Sequence, residues 1–407
     1  MRLWTFNAPS STTNKGNGLK RGRPPGAMDE VVASAPGKVV LFGEHAVVYG
    51  HPAIAASIAQ RTTVTLRTTE EPGVHIGRAR VDFERHPHLA TMIAHLWDET
   101  ASPGLDLSVT SDVPRGAGLG SSAAFAVASA VALRAAGGRA VDAGTGAWLE
   151  GYASDGSEVA LFHGGHDVRR NAEVGERRFG QDALSLEEAS LLGHVAEAMS
   201  QDGRASPMDT LTSAYGGLVL LSNRLEREDA WIMRRTMPMG DAVRSWELHR
   251  LEGLHFEEGL SLVVGHTGIN APTTNMVAGV AARRTEEAGI DETMDAIGAL
   301  VHRGMEALLA GDAEGVGRAM TENHLLLRRL GVSHPALETL VSAALPTSLG
   351  AKLTGAGGGG CMIALTQDPK ATSEAIELAG GRTWITSFGT PGARLEACPK
   401  GGLINPK

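Results

Sequence analysis

The chain has 407 residues, 42% of them hydrophobic; that exceeds the roughly 250–300 residues at which single cores stop growing, so two domains are expected. Its net charge of −9 excludes a general nucleic-acid surface on the folded body, though not a local basic spot for a small anion. Two cysteines, Cys361 and Cys398, exclude a disulfide framework and a four-cysteine zinc site and fit a cytoplasmic compartment, while no apolar run reaches the roughly 18 residues of a membrane span.

Residues 1–27 are rich in Ser, Thr, Asn, Gly, Pro, Lys and Arg and bury little, so they read as a disordered tail. The basic run Lys20–Pro24 within it is similar to a minor-groove-binding core or a short basic targeting run, but an extension with no role fits better beside the acidic body. From Val31 the pattern changes to short apolar strands punctuated by Pro36-Gly37, Gly43 and Gly50-His51-Pro52. Lys38, Glu44 and His45 lie inside this frame. Charged groups set among buried residues are seldom packing choices, which makes all three candidates for function.

Leu105–Thr110 alternates as a strand and leads into Asp112–Ala136, DVPRGAGLGSSAAFAVASAVALRAA. Gly116, Gly118 and Gly120 allow the turn to curl, Ser121 and Ser122 are suited to cap a helix, and the helix's first N–H groups are free to meet an anion. Phosphate is the expected ligand. Residues 139–183 lose periodicity and read as an insertion, in which His163 and His166 are taken as surface rather than metal ligands. Leu184–Met199 returns to helical period, and Asp209 stands early in a further helix that runs to Gly216-Gly217 and the strand LVLL.

Residues 221–258, an arginine-bearing stretch with Trp231 and Trp246, read as an inter-domain connection with its own strand or helix. A strand follows from about Gly259, then a helix beginning at TTNMVAG, two more over Glu292–Ala310 and Ala313–Leu330, a segment near Ser333–Ala344, and strands in AKLTGAGGGGCMIAL and TWITSF. Strands separated by paired helices suggest an α+β sandwich. Gly355, Gly357 and Gly360 satisfy GxGxxG, but a strand follows instead of the helix that a dinucleotide-binding unit requires. The chain has no GxxxxGK[ST], no protein-kinase HRD or DFG, and no GxSxG, which sets aside Walker-type NTPases, protein kinases and serine hydrolases. Two glycine loops far apart in sequence most simply frame one phosphate-bearing ligand between two domains.

Three blocks, SAPGKVVLFGEHAVVYG, PRGAGLGSSAAF and KLTGAGGGGCMIAL, in this order resemble the signature of the GHMP kinase family. The resemblance runs from Val31 to about Glu396. It implies an α+β, two-domain fold: a ribosomal-protein-S5-like ATP-binding domain over residues 28–225, and a ferredoxin-like domain over residues 226–400, with the active site in the cleft between them. GEHAVVYG, ASPMDTLTSAYGG and HTGINAPTTNMVAGV are similar to the branch that phosphorylates mevalonate. The implied reaction is ATP-dependent phosphorylation of the mevalonate C5 hydroxyl, a step of isoprenoid synthesis.

The resemblance also implies roles. Asp209 is the base, with Lys38 beside it to lower the hydroxyl pKa and steady the carboxylate. Residues Pro114, Arg115, Gly116, Ala117, Gly118, Leu119, Gly120, Ser121, Ser122 and Ala123 hold ATP. Glu44, His45, Phe125, Thr273, Gly355, Ala356 and Gly357 line the substrate site, and Ser122 with Glu197 binds Mg2+. Homodimers are common among relatives, and a dimer is implied here. The sequence departs from the family in three places. The second metal ligand is expected at Ala198, which puts the role on the neighbouring Glu197. Phe125 replaces a tyrosine, and the segment 139–183 has no counterpart. The alternatives are a sister kinase acting on phosphomevalonate, another mevalonate position or a sugar, and a nucleotide-binding regulator without catalysis.

Overall fold

A computed structural model of the chain describes residues 30–69, 73–77, 79–82, 84–96, 104–114, 116–136, 186–200, 205–239, 242–254, 259–270 and 273–397. The expected tail (1–27) and insertion (139–183) lie outside them.

The first domain is built on two long strands, β1 (Glu30–Phe42) and β2 (Ala53–Thr68), which pair antiparallel. β5 (Leu105–Ser111) and β6 (Leu218–Ser222) share the far edge of β2. β3 (Val74–Ile76) and β4 (Ala79–Arg80) extend the sheet beyond β5, and β8 (Ala242–Leu251) and β7 (Trp231–Met239) extend it beyond β6. β13 (Arg394–Ala397) returns from the far end of the described chain to pair with the outer edge of β1. The pairing of β1 with β2 slips between Pro36 and Lys38; such an irregularity bends a strand and re-aims the side chains next to it.

β7 and β8 therefore belong to the first sheet, although the sequence placed residues 226–258 with the second domain and its connection. The cause is a polar residue at an inward position. Arg235 of β7 is buried and donates to Ser190 Oγ at 2.7 Å, so the alternation that marks a half-buried strand is broken by charge.

The sheet is covered by α2 (Ser121–Ala135), with α1 (Pro87–Leu96), α3 (Leu186–Ser200) and α4 (Met208–Tyr215) around it. α2 is apolar on nearly every side, which is the pattern of a helix buried all round. Its side chains from Ala123 to Ala135 are all buried except Phe125, which is half-buried against the same core.

His194 of α3 packs edge-to-face on Trp246, ring centroids 6.0 Å apart, and its Nε2–H donates to Ala205 O at 2.9 Å. Burial, aided by the nearby Arg235 cation, pulls its pKa down to about 3. The unfolded chain protonates this ring near its ordinary value and the folded chain does not. Stability therefore falls as pH drops through the window between the two, by about 1.4 kcal/mol per pH unit for one proton. His194→Gln is expected to flatten the acid limb of a denaturation series between about pH 6.5 and 4 by that slope; an unchanged slope would show that the ring is not held neutral.

The second sheet has the order β10 (Gly350–Thr354), β11 (Cys361–Thr366), β9 (Ser261–His266), β12 (Arg382–Thr386), antiparallel throughout. In chain order this is second, third, first, fourth, the ferredoxin-like arrangement. Between β9 and β10 lie α5 (Thr273–Glu286), α6 (Ile290–Ala310), α7 (Ala313–Arg329) and α8 (Pro335–Ala344), and α9 (Pro369–Leu378) joins β11 to β12. β9, β10 and β11 bury both faces, while the edge strand β12 leaves Ile385 exposed. Leu262, Val264 and Ile363 share a core with Val39, Leu41 and Leu218 of the first sheet. Val263, Met362 and Ala364 face the other way, onto Ile297, Leu340 and Ile376. α6 reaches the first domain directly: a Cβ on Gly304 would stand 2.6 Å from the Phe42 ring. Among the described residues no helix is long and apolar enough to cross a membrane.

Candidate active site

The first glycine loop ends in α2, whose N-cap is Gly120. Ser121 and Ser122 are therefore the first two helical residues rather than caps, and no side chain caps the helix. The first-turn amides, which have no partner within a helix, face the loop with the positive end of the helix dipole. Ala117 and Leu119 turn their side chains into the core, so these two offer a ligand only their backbones. Pro114 is half-buried at the start of the turn, and Arg115 lies outside the described residues.

Lys38 emerges from β1 where the strand pairing slips. Its amide donates to Leu119 O at 2.9 Å and its ammonium to Gly118 O at 3.2 Å, which ties the strand to the loop from both ends of the residue. The ammonium also lies 3.0 Å from Asp209 Oδ2. Lys38's side chain is 5% exposed and that of Asp209 32%; the cation is sequestered while the carboxylate stays open to an incoming group. Asp209 is held there by the first turn of α4.

Glu197 completes the cluster from α3. Burial and the facing Asp209 carboxylate push its carboxyl up to about 7, against the opposing pull of a hydrogen bond from Ser122 and the charge of Lys38. Two carboxylates and a hydroxyl, only partly neutralised by one ammonium, form a donor set that suits a hard divalent cation such as Mg2+, which takes few protein ligands and keeps waters and phosphates for the rest. His88 of α1, which sequence reasoning passed over, places Nε2 3.3 Å from Ser122 Oγ. Its only sequence signal was a histidine early in an apolar run.

The second glycine loop follows β10 and meets the first. A Cβ on Gly355 would lie 3.6 Å from Gly118 Cα, and one on Gly118 would lie 3.9 Å from Gly355 Cα. Ala356 O accepts a hydrogen bond at 2.9 Å from His45 Nε2–H, and burial lowers the pKa of that imidazole. His45 is the one non-glycine residue with positive φ (61°) among the described residues, a conformation that persists only where its surroundings hold it. Gly357 approaches Val332 O so closely that a Cβ would stand 2.0 Å from it.

Glu44 and Phe125, both expected at the substrate site, lie in buried or half-buried surroundings. Glu44 is 3% exposed; one of its carboxylate oxygens pairs with Lys352 and the other accepts from Asn323 Nδ2 at 2.8 Å. It stands in a buried network and not in the open cluster around Asp209. Phe125 packs on the first core. Thr273 opens α5, and its side chain lies outside the described residues. Lys352 and Asn323 were missed, although Lys352 gives the signal used for Lys38, a charge inside a strand of buried residues. A cavity of about 460 Å³ lined by Gly217, Arg250, Leu260 and Phe388 lies apart from the loops and includes none of these groups.

Residues 88–163 match the GHMP kinases N terminal domain and residues 305–381 the GHMP kinases C terminal domain. A mevalonate kinase of Pyrococcus furiosus is 33% identical over 399 residues, which cover 90% of this chain and 98% of that protein. The chain belongs to the GHMP kinase family. A mevalonate kinase of Archaeoglobus fulgidus is 29% identical over 84% of this chain and 94% of its own length. Among solved structures, L. major mevalonate kinase in complex with R-mevalonate superposes with a TM-score of 0.62 at 25% identity, covering 88% of this chain and 95% of that one. Methanococcus jannaschii mevalonate kinase gives a TM-score of 0.62 at 23% identity, covering 90% and 100%, a likeness that speaks to the GHMP kinase fold alone. The GHMP N-terminal match also runs to residue 163, into the stretch read from sequence as an insertion.

Proposed function

We propose that this GHMP kinase transfers the γ-phosphoryl group of ATP to the C5 hydroxyl of mevalonate, giving 5-phosphomevalonate and ADP. The observation that carries the reading is the ion pair of Lys38 and Asp209 at the mouth of the first glycine loop, in a chain 33% identical to a mevalonate kinase over nearly its whole length.

Phosphoryl transfer asks little covalent chemistry of a protein and much positioning and charge neutralisation. The glycine loop and the free amides of α2 receive the phosphate oxygens. Asp209 takes the proton of the C5 hydroxyl as its oxygen forms a bond to the γ-phosphorus and the bond from that phosphorus to the ADP oxygen breaks. Lys38, held by Gly118 O and Asp209, stabilises negative charge as it develops on the attacking oxygen. Ser122 and Glu197 would hold Mg2+, which when bound neutralises charge on the phosphates. A phosphorylated acceptor would need further cations beside Asp209. Lys352, which lies near Lys38, is already paired with Glu44. The compartment assigned is the cytoplasm, where the buried thiol of Cys361 stays reduced.

A coupled ADP-release assay with MgATP tests the reading on mevalonate, phosphomevalonate, galactose and homoserine. Turnover with mevalonate alone, at roughly 1–100 per second, is the expected result. Turnover on a different acceptor overturns the substrate, and nucleotide binding without turnover on any of the four overturns the enzyme.

A further inference from the structure

Lys352 of β10 is fully buried and Glu44, just beyond the end of β1, nearly so. Removing both charges from water costs about as much as their attraction returns unless every remaining hydrogen-bonding position is filled. On the lysine it is. Lys352 Nζ pairs with Glu44 Oε1 and donates to the carbonyls of Val40 at 3.2 Å and Leu353 at 2.7 Å, which uses all three of its hydrogens. The second oxygen of Glu44 accepts from Asn323 of α7.

These partners sit on opposite sides of the domain boundary, Val40 and Glu44 on one and Asn323, Lys352 and Leu353 on the other. The same seam carries three more bonds. Val40 N donates to Thr354 Oγ1 at 3.0 Å, Thr354 Oγ1 donates to Val40 O at 3.1 Å, and His45 Nε2–H donates to Ala356 O at 2.9 Å. Residues 352–356 run directly into the second glycine loop. The strand they are stitched to is the one whose Lys38 amide and ammonium hold the first loop. An apolar seam could bury as much surface and still slide, whereas a forked ion pair whose lysine uses all three hydrogens accepts one alignment of β10 on β1.

We propose that Glu44, Lys352 and Asn323 are positioning residues that set the second glycine loop against the first, so that Glu44 acts on the nucleotide site through Lys352 and touches no acceptor. The proposal rests on the kinase reading above. It departs from the acceptor contact that the sequence assigned to Glu44.

The test uses Glu44→Gln, Lys352→Met, the double variant and Asn323→Ala in the full-length protein. MgADP affinity is measured by calorimetry at 15 °C, and KM for mevalonate by the coupled assay. Displacement of a loop by a fraction of an ångström is expected to weaken MgADP about tenfold in Glu44→Gln and in Lys352→Met. The KM for mevalonate is expected to stay within about twofold, and the double variant to bind MgADP no more weakly than the worse single one, as coupled residues should. A raised KM for mevalonate with unchanged MgADP affinity in Glu44→Gln overturns the proposal in favour of direct contact. Lower melting temperatures with both constants unchanged overturn it in favour of a purely structural pair. Should the ion-pair variants fail to fold, Asn323→Ala, which keeps both charges, is expected to weaken MgADP about threefold, and an unchanged affinity there overturns the proposal. The calorimetric arm needs no acceptor, so it decides the matter even if mevalonate proves not to be the substrate.

Discussion

Asp209→Asn is expected to lower kcat by about three orders of magnitude, within the range a positioned general base supplies, with KM for both substrates changed only a few-fold. Asparagine keeps the size and the hydrogen-bonding reach of the side chain but has no site to take the hydroxyl proton. The expected effect on folding is small because two changes oppose each other. Lys38, nearly buried, loses the partner 3.0 Å away, while Glu197 loses the like charge that helps hold its carboxyl up at about 7. The measurements are steady-state kinetics beside a melting curve. A kcat within tenfold of the parent would remove Asp209 from the role of base, and a collapsed melting transition would mean the loss of activity says nothing about chemistry.

Gly120→Ala should be nearly as damaging although it adds a single methyl group. The added Cβ would stand 2.7 Å from Lys38 Cγ and 3.1 Å from its Cε, so the lysine must move, and with it the ammonium that reaches both Gly118 O and Asp209. A shift of this kind is expected to cost about 100-fold in kcat. The backbone adds its own strain, since Gly120 has φ of 72°, costing an alanine about 1–2 kcal/mol. Gly253→Ala separates the two effects. Gly253 has the same φ of 72° and nothing within 4 Å of its Cβ position, so it should lose similar stability and keep full turnover. Equal kinetic losses in both variants would place the effect in the backbone and not in the displacement of Lys38.

Much of this site was legible because its parts announce themselves locally. A glycine turn running into an apolar helix, a lysine among buried strand residues and an aspartate at a helix start are patterns of one short segment each. What stayed hidden depends on partners far away in sequence. The partner of Glu44 is Lys352, 308 residues on, and no period or spacing links the two. Gly120 rather than a serine caps α2 because the loop must turn through positive φ just where Lys38 passes beneath it, a demand that the local preference of serine for capping does not contain. Whether residues 221–258 hold a strand or a helix stayed open because Arg235 of β7 takes a core position and bonds Ser190, and β13 was missed because its four residues carry no pattern of their own and pair only through β1.

The place of β13 also bears on how the chain comes off the ribosome. β1 pairs with β2 on one edge and with β13 on the other, and Ser34 Oγ donates to Glu396 across 362 residues. Until residues 394–397 have been synthesised, the outer edge of β1 offers unpaired backbone groups, and exposed strand edges of this kind invite pairing with other chains. The Gly216 backbone, bridged to Pro391, and Ser57, bonded to Thr390 O at 2.7 Å, wait on the same late segment. A nascent chain stalled after the second sheet therefore holds Lys38 and Asp209 but not the strand that covers the outer edge of β1, and is open to edge-to-edge pairing with its neighbours until that strand arrives.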